Sequence, residues 1–129
     1  MLAAPLNDVV IIRADRFKHW LPQLVDAVAA IGGITPEQLV APGKMGWAVR
    51  LRAAFTIAAV DVMEKKWAEI ARAMGGRNHG SMINAYAYAQ RRMETDPEFR
   101  QLVTLVLAIA RAIVGQQVAP PVIEPELPL

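Results

Sequence analysis

The sequence predicts an all-α fold, a helical bundle carrying a helix-turn-helix, from three observations. Apolar residues recur at three- and four-residue spacing through most of the chain. Helix start and stop signals fall between these stretches. The only strand-like run is "DVVIIR" at 8–13, which reads equally as a docked N-terminal arm. With 129 residues, 54% of them hydrophobic, the chain is sized for one domain with a substantial core. The expected organisation is an N-terminal arm over 1–20, a helical domain over 21–114 and a Pro-rich tail over 115–129.

From Asp15 onward the spacing of Phe17, Trp20, Leu21, Leu24, Val25 and Val28 predicts a first helix, which Pro22 either starts or kinks and Gly32-Gly33 stops. "ITPEQLV" begins a short helix with Thr35 as N-cap, Pro36 at the first position and Gln38 as capping-box partner. "APGKMG" (41–46) breaks it, and a long helix follows over 47–65. A shorter helix, 66–74, ends at Gly75-Gly76, and another runs from 78 to 94. The last helix opens with Asp96 as N-cap and Pro97 at its first position. Its many apolar residues, from Leu102 to Val114, occupy more than one face, which predicts burial in the core or against a second copy. A homodimer through this helix is therefore expected.

The net charge is only +2, but it is unevenly spread. Residues 1–43 and 101–129 each carry a net charge of −1, and residues 44–100 carry +4. The basic segment contains "GGRNHGSMINAYAYAQRR" (75–92), where two glycines separate two helices. In the second of these, Met82, Ala85, Tyr86, Ala89 and Met93 form an apolar stripe. His79, Ser81, Asn84, Tyr88, Arg91 and Arg92 form the polar complement. A helix-turn-helix over 66–94 places the start of its second helix in the DNA major groove, where free N–H groups and the helix dipole also favour phosphate. Asn78, His79 and Ser81 are short polar residues at that end.

"AEIARAMGGRNHGSMINAYAYAQ" resembles the DNA-binding C-terminal domain of the bacterial replication initiator DnaA, whose signature is a Gly-Gly-Arg-Asp-His-Thr-Thr run between two helices. The helix order agrees over roughly residues 21–107. The resemblance implies a DnaA C-terminal, Trp-repressor-like fold. It implies major-groove reading by Arg77, Asn78, His79, Gly80 and Ser81, to which the polar face adds Asn84. Lys44 falls in the loop that places a basic residue in the minor groove, and Arg50 and Arg52 match basic positions suited to phosphate contact. Trp47, beside that loop, is expected to pack and anchor it.

Three departures bear on specificity. Asn78 replaces the family's aspartate and can donate as well as accept, which favours an adenine edge over a cytosine N4 donor. Gly80 replaces the first threonine, removing a methyl that would meet thymine, and the loop holds one lysine where the family is arginine-rich. Each lost base contact costs about 1–3 kcal/mol of discrimination. A related or relaxed site preference is expected.

The functional expectation is double-stranded DNA binding without catalysis or cofactor, regulating replication or transcription at initiator-box-like sites. "PGKMG" lacks the earlier glycine and the hydroxyl residue of a phosphate-binding loop, so the resemblance is to a stand-alone DNA-binding part. Two histidines and no cysteine suggest no metal site. No basic n-region precedes an apolar run, and the longest apolar stretch (102–115) is short for a span and contains Arg111. A cytoplasmic, nucleoid-associated protein without membrane contact is expected. The alternatives are a Trp-repressor-like transcription factor, or a protein-interaction module descended from a DNA-binding domain.

Overall fold

The computed structural model describes residues 19–43 and 45–118, and among these described residues it has six helices and no strand. The fold is all-α. Residues 1–18 of the expected arm, with its "DVVIIR" run, Lys44 and the tail beyond 118 lie outside the described residues, and Trp20, the last residue of that arm, opens a helix.

Of the predicted stripe, helix α1 (Trp20–Gly32) buries Leu21, Leu24, Val25 and Val28 and half-buries Trp20, while Phe17 lies outside the described residues. Pro22 sits in its first turn, where the backbone N–H has no intrahelical partner to lose. Gly33 ends the helix in the left-handed region (φ 70), its N–H donating to Ala29 and Ala30 carbonyls. Helix α2 (Pro36–Val40) has the predicted capping box. Thr35 N–H donates to Gln38 Oε1 at 2.9 Å, and Gln38 N–H donates to Thr35 Oγ1 at 3.1 Å.

Helix α3 (Gly46–Asp61) is the axis of the bundle, packed on α1, α5 and α6. Every residue from Leu51 to Ala59 is buried, with alanines at 53, 54, 58 and 59 letting neighbouring backbones approach. It ends four residues earlier than expected, where Glu64 adopts a positive φ of 55. Helix α4 (Trp67–Ala73) follows, its first turn held by Lys66 N–H donating to Glu69 Oε1 at 3.1 Å.

Helix α5 (His79–Thr95) buries Met82 and Ala89 and half-buries Ala85, Tyr86 and Met93, as its stripe predicts. Two contacts fix its direction. Arg50, near the start of α3, reaches Asp96 at the end of α5. Tyr86 Oη donates to Asp61 Oδ1, at the end of α3, over 2.8 Å. Helix α5 therefore runs back along α3.

Helix α6 (Pro97–Val118) runs through the residues expected to begin the tail at 115. Its core face is Phe99, Val103, Val106, Ala110 and Ile113. The opposite face exposes Arg100, Gln101, Thr104, Ala108 and Arg111, with Leu105, at 47% exposure, its one large exposed apolar side chain. The stretch buried on all sides is thus Leu51–Ala59 of α3, not α6. Among the described residues no helix is long and apolar enough to cross a membrane.

Candidate nucleic-acid interface

The turn between α4 and α5 is built on one carbonyl. Ala71 O accepts from Met74 N–H (3.2 Å), Gly76 N–H (2.9 Å) and Arg77 N–H (3.1 Å). Closing the chain this tightly puts Gly75 and Gly76 at φ 83 and 79, which costs a residue with a Cβ about 1–2 kcal/mol at each position. Gly75 carries a second constraint: a Cβ there would stand 2.5 Å from the Val40 carbonyl oxygen. The turn is therefore seated against the end of α2.

Asn78 is the N-cap of α5, its Oδ1 accepting from Ser81 N–H at 2.7 Å. The cap occupies the oxygen that sequence reasoning left free for a base, leaving the amide NH₂ as the outward group. His79, Gly80, Ser81 and Asn84 are exposed beside it, and the first turn of α5 holds no acidic residue. Ile83, 45% exposed, lies on the outer face with Gly80 and Asn84, opposite buried Met82. The sequence reading passed over it, because a lone isoleucine outside the apolar stripe gives no periodic signal.

The basic residues separate into different surroundings. Arg77 is half-buried, and its Nη2 donates to Ala41 O at 2.9 Å. Arg52, expected at phosphate, is only 7% exposed. Its Nε donates to Leu39 O (2.7 Å), Nη1 to Gly43 O (2.6 Å) and Nη2 to Ala41 O (2.6 Å). Its guanidinium is committed to the 39–43 backbone and leaves the phosphate-contact set. Burial, and secondarily the charge of Arg77, lowers its pKa from the usual guanidinium value. A sequence signal existed: Arg52 and Thr56 are one turn apart in an otherwise apolar run, and Thr56 Oγ1 donates to Arg52 O at 2.7 Å.

Arg50 also leaves that set. Its Nη1 donates to Asp96 Oδ2 at 3.0 Å, and its guanidinium carbon lies 5.4 Å from the Phe99 ring centroid. The hydrogen bond to Asp96 raises its pKa. The 17 residues of α5, about 25 Å of helix, separate this ion pair from His79. Arg92 joins it, Nε donating to the same Asp96 oxygen at 3.1 Å, while Arg91 is exposed. Trp47, expected to pack, is 43% exposed, and neighbouring Met45 is 61% exposed. Lys44, between Gly43 and Met45, is outside the described residues.

Among the described residues no cluster of histidine and carboxylate side chains could hold a metal ion. Asp61 accepts from Tyr86, and that hydrogen bond raises the Tyr86 pKa. What the α5 end offers is donors, an imidazole and apolar surface. No family model matches the chain, and neither does any curated protein or solved structure.

Proposed function

We propose that the chain binds double-stranded DNA through a helix-turn-helix formed by α4 and α5, as the resemblance to the DnaA C-terminal domain implies. The observation that carries this reading is the start of α5: exposed, without acidic residues, and held by a two-glycine turn. Such an end accommodates phosphate at its free N–H groups and presents short polar side chains to base edges. His79 and the Asn78 amide donate to bases, Ser81 and Asn84 flank them, and Ile83 meets a thymine methyl in place of the threonine lost at Gly80. Gly80 itself lets the helix start approach the groove closely. Arg77 supplies a backbone contact, and so does Lys44.

The activity is binding alone, without cofactor or catalysis, and suits a nucleoid-associated regulator of replication or transcription at initiator-box-like sites. The outer face of α6 is largely polar and does not favour homodimerisation through that helix. The test is a fluorescence-anisotropy titration of a duplex carrying an initiator box against a scrambled duplex, at two salt concentrations. Salt-sensitive binding with preference for the box supports the reading. Equal affinity for both duplexes retains DNA and removes the shared site. No binding at low salt refutes DNA and leaves exposed Met45, Trp47 and Leu105 as the surface for a protein partner.

A further inference from the structure

Arg52 does more than satisfy a loop. Ala41 O accepts from Arg52 Nη2 at 2.6 Å and from Arg77 Nη2 at 2.9 Å, so one carbonyl joins two guanidinium groups from distant parts of the chain. One residue earlier, the Val40 carbonyl is the surface against which Gly75 is seated. The 39–43 backbone is therefore held from inside by Arg52 and in turn holds the 75–77 turn at two points. Ala41 precedes Pro42, which keeps its backbone extended (φ −63, ψ 155). Arg52 is buried in the central helix.

We infer that Arg52 is a positioning residue for the interface: through the Val40 and Ala41 carbonyls it sets where the Gly75–Arg77 turn stands, and so where α5 begins. The functional half of this inference rests on the DNA reading above. The physical reason is that base readout tolerates little displacement, so a turn loosened by a fraction of an ångström loses discrimination before it loses charge attraction. Arg52 touches no base in this scheme, and its effect passes entirely through backbone oxygens.

Two variants test it, Arg52→Lys and Pro42→Gly. The lysine keeps the charge but cannot reach three carbonyls in one plane. The glycine relaxes the exposed loop backbone without removing any side-chain hydrogen bond, and covers the case in which Arg52→Lys fails to fold. Amide exchange followed by NMR should speed up at residues 75–79 in both variants, with the α3 and α6 core amides unchanged. Acceleration confined to residues 39–43, or spread evenly over the domain, overturns the clamp. In the duplex titration, preference for the box over the scrambled duplex should fall about tenfold while the salt dependence stays the same. A parallel loss on both duplexes means merely fewer folded molecules and overturns the positioning role. If the wild-type chain binds no duplex, the DNA reading and the positioning role fall together, and the exchange data alone decide the clamp.

Discussion

The two ends of α5 are built on opposite principles. At the C-terminal end, Asp96 accepts from Phe99 N–H, Arg50 and Arg92, and caps α6 while tying it to α3. Its charge is matched and its oxygens are used. At the N-terminal end the backbone is just as tightly specified, by Ala71 O, two left-handed glycines and the Asn78 cap. Yet the side chains there, His79, Ser81, Ile83 and Asn84, stand in solvent. A saturated end is scaffold. An end whose backbone is fixed by local hydrogen bonds and whose side chains are exposed is the end that the proposed DNA contact uses.

The largest effect expected from disturbing this contrast is at Gly75. Gly75→Ala meets both the positive φ and the Val40 carbonyl and should cost about 2 kcal/mol or more of stability. Gly76→Ala, with open space around it, should cost only the conformational part, about 1–2 kcal/mol. Urea denaturation of the two variants measures the difference, and equal costs would refute the seat against α2.

Next comes the functional separation of the ends. His79→Ala should remove about 1–3 kcal/mol of duplex discrimination at an unchanged melting temperature. Arg50→Gln should do the reverse, lowering the melting temperature with duplex affinity held within about twofold. Anisotropy titrations paired with thermal melts read both, and loss of affinity in Arg50→Gln would return that residue to the contact set.

A smaller effect is expected at the cap. Asn78→Ala should cost about 1 kcal/mol of stability. Asn78→Asp keeps the acceptor, gains a few tenths of a kcal/mol from the helix dipole, and moves base preference towards cytosine amino groups. A base-substitution series in the duplex checks the shift.

The smallest effect near neutral pH belongs to Asp96. The Phe99 N–H first, then the hydrogen bond from Arg50, lowers its pKa from 3.8 to about 2. A carboxylate depressed in the folded state contributes stability that is complete above its unfolded value and is lost as pH falls through the folded one. Melting temperature should therefore show no Asp96 contribution to pH dependence above about pH 5, and a decline between about pH 4 and 2 that Asp96→Asn removes. A decline that persists in Asp96→Asn would assign the acid sensitivity elsewhere.

Local physics accounts for what was legible in the sequence. The Thr35–Gln38 capping box, the glycine pair and the stripe through Met82 and Ala89 depend on residues within a few positions of one another. Their geometry follows from propensity and periodicity before any packing occurs. The helical class and the order of the helices follow for the same reason.

Three matters were decided only when the helices came together. Arg50 and Arg52 look equivalent two residues apart, but about 200° of helix rotation separates them. One meets Asp96, 46 positions along the chain, and the other the carbonyls of 39–43. The stretch buried on every side is Leu51–Ala59 of α3, because α1, α5 and α6 all pack around it, whereas the richer apolar run of α6 keeps a solvated face. Trp47 stays exposed although its composition favours burial. The sequence by itself determined the helices, their caps and the turn, because those energies are local. Which charges are spent internally and which remain at the surface was decided by tertiary structure, because it depends on partners that only folding brings within reach.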